Sequence, residues 1–238
     1  MPKIDVTPEL VGRLINQVAP LVEFTTRWSL DLQTLKYRVL PKNRGYEEIV
    51  LARFAGVGLP VEIDKPRSPG ELLIEYMLEN NILGAYEPST QEILVVRENV
   101  DESNLDGLRL ILAHELVHRG QHRYHPELFA QVDEAIRVGY QMIENASLVE
   151  AAGVLQVQLL ANVQPVMTLM ESHATYITEI IRRLYLPNGV IESHFSLAQV
   201  LFRLLGAEKL GQYSGGVETV AKAAQSGSIE DLFRSFVD

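Results

Sequence analysis

The pentapeptide His114-Glu115-Leu116-Val117-His118 restricts the possible fold more than any other part of this chain. On an α-helix, residues four apart lie on the same face, one turn from each other. The surrounding sequence predicts such a helix from about residue 105 to about residue 123, ended by His125-Pro126. The available N-caps are Asp101, Ser103 and Asn104. Both imidazoles are therefore expected to converge on one point.

The histidine pair gives this segment the chemistry of a metal site. The chain has no cysteine, so a metal must be held by His, Asp or Glu side chains. Neutral imidazole nitrogens suit a zinc ion, and Glu115 would lie beside that ion rather than on it. There its carboxylate can take a proton from activated water, which predicts hydrolysis of an amide or an ester. The alternative is that His114 and His118 are ordinary helix histidines hydrogen-bonded to carboxylates.

A catalytic zinc site needs a third protein ligand. The metzincin class is excluded, because this chain has Gln121 and Tyr124 where that class has a glycine and a histidine. The segment 167–174, Met-Thr-Leu-Met-Glu-Ser-His-Ala, contains two other candidates, Glu171 and His173. His173 falls in the apolar stripe of its predicted helix, and Glu171 lies on the flank of that stripe. Each can equally be structural, as a core histidine or a surface charge, so the residues alone leave the third ligand open.

The order of elements predicts a mainly α fold of the α+β type, with a small sheet or hairpin. A first helix is expected with Thr7 as N-cap and Pro8 in its first position, and a later one after Ser68-Pro69-Gly70-Glu71. A turn-rich segment before Ile93-Leu94-Val95-Val96 predicts a hairpin or a single edge strand. We expect a single domain over residues 1–238, with a helical N-terminal part over 1–83 and a metal-binding part over 84–238.

Charge and hydropathy exclude several kinds of partner. The chain has 21 Lys and Arg against 31 Asp and Glu, a net charge of −10, so we expect no nucleic-acid partner. The most apolar run, residues 151–170, is interrupted by polar residues and a proline, which predicts a core helix and no membrane span. The first ten residues lack the apolar stretch of a secretory signal, which predicts a cytoplasmic protein. The oligomeric state is left open.

Three blocks of sequence resemble a largely uncharacterised family of zincin-like metallopeptidases associated with deazaflavin coenzyme biosynthesis. The segment 114–121, His-Glu-Leu-Val-His-Arg-Gly-Gln, resembles the family's HExxHxxQ helix. The segment 169–174, Leu-Met-Glu-Ser-His-Ala, resembles its L-E-G-H-A segment. Lys209-Leu210-Gly211-Gln212-Tyr213, with Gly215 and Gly216, resembles its K-x-x-Q-Y-x-x-G segment. The likeness runs in the same order over about residues 108–235.

The resemblance implies a zincin-like metallopeptidase domain with a site of the gluzincin type. Glu171, rather than His173, is then the third zinc ligand beside His114 and His118. Glu115 is the general base, and the substrate is a peptide or a protein. The alternative function is a catalytically silent zincin-fold protein that acts as a partner-binding or regulatory module.

The resemblance also implies roles near the site for three further features. Tyr213 is a candidate to hydrogen-bond the oxyanion, with a buried packing tyrosine as the alternative. The strand 93–96 resembles the edge strand that pairs with extended peptides, with a strand paired on both sides within the sheet as the alternative. Ser172 stands where the family has glycine, which is expected to alter helix packing next to the third ligand.

Overall fold

The computed structural model describes residues 4–45, 48–49, 52–59, 82–144, 164–190 and 211–235. The α-helices are α1 (Pro8–Thr26), α2 (Ala52–Gly56), α3 (Leu105–Tyr124), α4 (Pro126–Glu144), α5 (Gln164–Tyr185), α6 (Gly211–Ser226) and α7 (Ile229–Arg234). The strands are β1 (Lys36–Leu40), β2 (Gly84–Glu87) and β3 (Glu92–Val96), and short 3₁₀ helices span Lys42–Arg44 and Arg97–Asn99. The predicted mainly helical chain with a small sheet is confirmed in these ranges. The helix start predicted at residues 68–71 and most of the apolar run 151–170 lie outside them.

Helix α1 begins as the sequence predicts. Thr7 is the N-cap, and its hydroxyl accepts a hydrogen bond from Leu10 N–H at 3.2 Å. Pro8 follows in the first turn, where the missing N–H costs nothing. The helix packs against α3, α5 and β1. Its buried apolar residues are Val11, Leu14, Ile15, Val18, Ala19 and Val22. None of the helices in the described ranges is long and apolar enough to cross a membrane.

The sheet contains three strands in the order β1-β3-β2. Strands β2 and β3 form the predicted hairpin, with Gly84 opposite Val95 and Tyr86 opposite Ile93. Strand β1 comes from the N-terminal part, which the sequence predicted to be helical, and it pairs in parallel with β3. The N-terminal part therefore contributes directly to the sheet that precedes the histidine helix.

Strand β3 lies in the middle of the sheet, so of the two interpretations of residues 93–96 the strand paired on both sides is confirmed and the edge strand is wrong. Both of its hydrogen-bonding sides are occupied, one by β1 and the other by β2. Every residue of β3 is buried, which explains its continuous apolar run, because a strand covered on both faces has no polar side. Within the described residues, β2 has a strand neighbour on one side only.

Helix α3 contacts α1, α4, α5 and β2, which places it inside the described structure. Asn104 is its N-cap and accepts a hydrogen bond from Gly107 N–H at 2.7 Å. The helix ends at Tyr124, two residues before Pro126, within one residue of the predicted end. Residues on most of its circumference are consequently buried, including several polar ones.

The loop between α1 and β1 is fastened to α3. Arg119 is fully buried, and its guanidinium donates from Nε to Leu30 O at 2.7 Å and from Nη2 to Asp31 O at 2.6 Å. Helix α3 also approaches Trp28 closely at Gly120, where an added Cβ would lie only 2.7 Å from Trp28 Cε3. These contacts fix the loop, and with it the start of β1, relative to the histidine helix.

Helix α5 packs against α3, and α6 packs against α5. The short helix α7 follows α6 and inserts Phe233, which is fully buried. The Phe233 ring contacts Trp28, with centroids 6.0 Å apart, and His173, with centroids 5.1 Å apart. Trp28 and Phe233, which are distant in sequence, therefore both contact His173 of α5, two residues after Glu171.

Candidate metal centre

His114 and His118 lie on one face of α3, as their spacing predicts. Their Nε2 atoms are 3.2 Å apart, and the rings meet edge to face with centroids 4.8 Å apart. The side chains keep 17% and 11% of their exposure, so solvent reaches both. Two imidazole nitrogens are thus presented together at an accessible point.

Helix α5 brings Glu171 to the same point. Its Oε2 lies 3.4 Å from His114 Nε2, and its Oε1 lies 3.5 Å from His118 Nε2. One ligand atom from each of the three side chains lies within 4.8 Å of the others. A tetrahedral site with bonds of about 2.0–2.2 Å has neighbouring ligand atoms about 3.3–3.6 Å apart. The three side chains could therefore hold a metal ion.

Glu115 is buried next to this group without belonging to it. Its Oε2 accepts a hydrogen bond from Tyr86 N–H of β2 at 2.8 Å. Burial raises the pKa of Glu115 to about 7, and the charge of Glu171 raises it in the same direction. A cation at the three ligand atoms would oppose this shift, because a nearby positive charge favours the carboxylate.

His173, the alternative third ligand, lies outside the group of three. Its Nδ1 is 3.1 Å from Nε2 of Gln121, and its ring contacts Trp28 with centroids 5.2 Å apart. Burial lowers the pKa of His173 to about 3, so the ring is neutral near pH 7. The structure places Glu171, rather than His173, with the histidine pair.

Two of the blocks that resemble the metallopeptidase family touch each other. A Cβ added to Gly216 of α6 would lie 2.3 Å from Ser172 Oγ and 3.1 Å from Thr168 Cγ2 of α5. Ser172 Oγ is buried and has no hydrogen-bond partner among the described residues. The two helices approach closely at the residue that follows Glu171, so their packing bears on the position of that carboxylate.

Tyr213 belongs to the first turn of α6. Its side chain is not among the parts of the chain that the structure describes. The suggested hydrogen bond from its phenol to an oxyanion therefore stays a prediction.

The two other described histidines of α3 and its C-cap, His122 and His125, make contacts outside the group of three. The Nδ1 of His122, one turn after His118 on α3, lies 2.9 Å from Tyr86 OH. His125 ends α3 as the C-cap, and its Nε2 is 3.2 Å from a carboxylate oxygen of Glu230. Neither belongs to the group of three ligands, and His194 lies outside the described residues.

Sequence reasoning gave no role to three buried neighbours of the site, namely Tyr86, Gln121 and Trp28. Gln121 offered a signal, since a polar residue three positions after His118 lies on the same helix face. Tyr86 acts on Glu115 through its backbone N–H, which no side-chain pattern reveals. Trp28 is distant in sequence and reaches His173 only through tertiary packing.

Comparisons of the chain with protein-family models, with curated proteins and with solved structures find no significant match. The likeness to zincin-like metallopeptidases therefore rests on three blocks of sequence. The case for a function rests on the side chains of this chain: two histidines and a glutamate that could hold a metal ion, with a second, buried glutamate beside them.

Proposed function

We propose that this chain is a zinc-dependent hydrolase of the zincin type, acting as a metallopeptidase on a peptide or a protein. The observation that carries the proposal is the convergence of His114, His118 and Glu171, from two different helices, at separations close to those of a tetrahedral site. Glu115 adds a buried carboxylate on the same helix as the histidines. Two ordinary helix histidines hydrogen-bonded to Glu171 would not need the second carboxylate, Glu115, that is buried beside them.

Zinc fits this donor set. Two neutral imidazoles with one carboxylate form the ligand set of known catalytic zinc sites, whereas structural sites are closed by four protein ligands. The described residues supply three ligands, and those side chains keep 11–17% of their exposure. When bound, zinc would polarise a carbonyl group and lower the pKa of water toward about 7.

Glu115 would carry the proton. It accepts a proton from water as the water oxygen bonds to the scissile carbonyl carbon, and it returns that proton to the amine nitrogen as the C–N bond breaks. The hydrogen bond from Tyr86 N–H holds Oε2 in a fixed direction. A carboxylate has about four acceptor positions, so this bond orients Glu115 without preventing proton transfer.

The outer side of β2 supports a peptide substrate. Val96 N–H donates to Leu83 O, so the register turns the backbone groups of Gly84 and Tyr86 away from β3. Tyr86 N–H meets Glu115 on that outer side. An extended peptide lying along the outer side of β2 would therefore run past the proposed base, which gives β2 the role that the resemblance implied for the strand at residues 93–96.

Substitution of Glu115 tests the proposal. Wild type is reconstituted with zinc, assayed by metal analysis and screened against a broad peptide library. We expect about one zinc per chain, because the three ligands form one site. Glu115→Gln should keep that zinc and slow cleavage by about 10²–10⁴-fold, the usual contribution of a general base. His114→Ala should lose both zinc and cleavage.

Glu134→Gln is the matched control, because Glu134 is an exposed glutamate of α4 that pairs with Arg137. It should leave zinc content and cleavage unchanged. Cleavage by Glu115→Gln at the wild-type rate would show that the assigned base is wrong. Zinc retention with no Glu115-dependent cleavage would instead favour the silent, partner-binding alternative.

A further inference from the structure

The side-chain amide of Gln121 joins the two helices that carry the metal-ligand candidates. Gln121 is fully buried on α3, three residues after His118. Its Oε1 lies 2.8 Å from His118 Nδ1. Its Nε2 lies 2.8 Å from Met170 O, and 3.1 Å from His173 Nδ1. Because Met170 directly precedes Glu171 on α5, the amide of Gln121 connects His118 with the residue next to Glu171.

The orientation of this amide follows from its backbone partner. A carbonyl oxygen can only accept, so Met170 O must face the NH₂ group of Gln121. The amide oxygen then faces His118 Nδ1, which must carry a proton in order to donate. The opposite orientation would set two oxygens against each other at 2.8 Å. The second N–H of the amide points at His173 Nδ1, which must therefore be the unprotonated nitrogen of that ring.

We propose that Gln121 is a positioning residue of the metal site: it holds His118 as the Nδ1–H tautomer and sets the distance between His118 and Glu171. His173 receives the second amide N–H and is not a ligand. With the proton on Nδ1, the Nε2 of His118 keeps its lone pair on the side of His114 and Glu171, which is the form that a metal requires. The inference rests on the metal site of the proposed function.

His173 is suited to be a fixed acceptor. Its ring is 2% exposed and lies between Trp28, at a centroid distance of 5.2 Å, and Phe233, at 5.1 Å. These contacts restrict rotation of the ring, so its Nδ1 stays on Gln121. The loop after α1 and helix α7 thereby support the orientation of His118 without touching the ligand atoms.

Two pairs of variants test these roles through zinc affinity, measured by competition with a chelator. Gln121→Met removes all three hydrogen bonds at similar volume, whereas Gln121→Glu keeps an acceptor for His118 Nδ1–H. His173→Leu removes the acceptor for Gln121, whereas His173→Asn places an oxygen near the former Nδ1. Leu14→Ala, a buried change on α1, controls for a general loss of stability.

We expect Gln121→Met to weaken zinc binding by about 10- to 100-fold, as removal of a hydrogen-bond partner of a ligand typically does. Gln121→Glu should recover part of that loss, His173→Asn should bind close to wild type, and Leu14→Ala should retain zinc affinity in its folded fraction. The absorption spectrum of the cobalt-substituted protein should change in Gln121→Met.

Wild-type affinity and an unchanged spectrum in Gln121→Met would overturn the proposal. Loss of zinc from His173→Asn as complete as from His114→Ala would also overturn it.

A measurement on metal-free wild type separates this inference from the proposed function. Nitrogen-15 chemical shifts distinguish histidine tautomers, and we expect the proton of His118 on Nδ1 and that of His173 on Nε2. Observation of the opposite tautomers would refute the role of Gln121, whether or not zinc binds. The expected tautomers in a protein that takes up no zinc would refute the proposed function and leave the hydrogen-bond assignment supported.

Discussion

Glu115 and His173 are two ionisable side chains buried near the same histidine pair, and burial acts on them in opposite directions. It raises the pKa of Glu115 to about 7 and lowers the pKa of His173 to about 3. Both shifts favour the uncharged form, because removal from water penalises charge. Without a metal ion, these two side chains therefore add little charge to that of Glu171, and a bound cation would be the largest local charge.

His122 gives a pH-dependent stability that can be measured. Burial, followed by the charges of Arg53 and Arg119, lowers the pKa of His122 below its ordinary value of 6.5. The unfolded chain therefore takes up a proton that the folded chain resists. The stability that comes from a neutral His122 is fully present above about pH 6.5 and is lost as the pH falls through the lower, folded-state pKa.

We therefore expect His122→Phe to flatten the fall in unfolding free energy between about pH 6.5 and pH 5, by at most about 1.4 kcal/mol per pH unit for one proton. Urea denaturation at a series of pH values measures this slope. Tyr86→Phe removes the phenol that bonds His122 Nδ1 and keeps the titrating ring, so it should retain the wild-type slope. Equal slopes for wild type and His122→Phe would contradict the assignment.

At the scale of single residues, sequence predicted the parts of the site that depend on local geometry. His114, Glu115 and His118 follow from one helical turn, whose periodicity is fixed by the backbone. The choice between Glu171 and His173 could not be made from periodicity, since the apolar stripe favoured His173. Burial does not distinguish them either, since both are buried; the fold does, because Glu171 lies 3.4–3.5 Å from the histidine pair and His173 lies outside that group.

At the scale of elements, the helices with clear capping signals were predictable and the sheet was only partly so. Thr7 and Asn104 both cap helices at their expected positions, because a cap is a local interaction. Strand β1 was missed because it is only five residues long and its first three residues are exposed. Its parallel pairing with β3 joins Lys36 to Glu92 across a long stretch of chain, and no local pattern encodes such a contact.

The contact between α5 and α6 yields a prediction whose size depends on the residue at position 172. Gly216→Ala places a methyl group against Ser172 Oγ and Thr168 Cγ2. Overpacking of this kind costs about 1–3 kcal/mol, which outweighs the gain of about 1 kcal/mol from replacing a helical glycine by alanine. We therefore expect Gly216→Ala to destabilise the wild-type protein in urea denaturation.

In a Ser172→Gly background the clash with the hydroxyl is removed, so Gly216→Ala should destabilise less or stabilise. A double-mutant cycle should give a coupling energy of about 0.5–3 kcal/mol, as expected for residues in contact. Gly227→Ala is an informative comparison, because Gly227 has open space around it and a φ of +73°. Its cost should come from the backbone alone and should not change with Ser172. Additive effects of Gly216 and Ser172 would show that the helices do not meet as described.

At the scale of the whole molecule, the site depends on segments that lie far apart in sequence. The histidines come from α3, Glu171 comes from α5, Tyr86 N–H comes from β2, and the contacts around His173 come from the loop after α1 and from α7. Sequence could predict the helices that carry the histidines and Glu171, but not that these distant segments surround one point. The wrong edge strand illustrates this limit, because the order of strands is a property of the assembled sheet.

Because the three residues that could hold a metal ion come from two helices, metal binding should be coupled to the stability of the whole fold. An ion that binds only the native state stabilises it by about 4.1 kcal/mol when free zinc is 1,000 times its dissociation constant. For a chain of this size, each kcal/mol raises Tm by roughly 2–4 °C. We therefore expect zinc to raise Tm in scanning calorimetry in a concentration-dependent way, and a chelator to reverse the rise.

The variants decide whether this rise comes from the proposed site. His114→Ala and Glu171→Gln each remove one ligand and should abolish most of the zinc-dependent shift, whereas Glu115→Gln keeps all three ligands and should retain it. A shift that persists in His114→Ala would place the zinc elsewhere on the chain. A shift lost in Glu115→Gln as completely as in His114→Ala would make Glu115 a ligand rather than the neighbouring base.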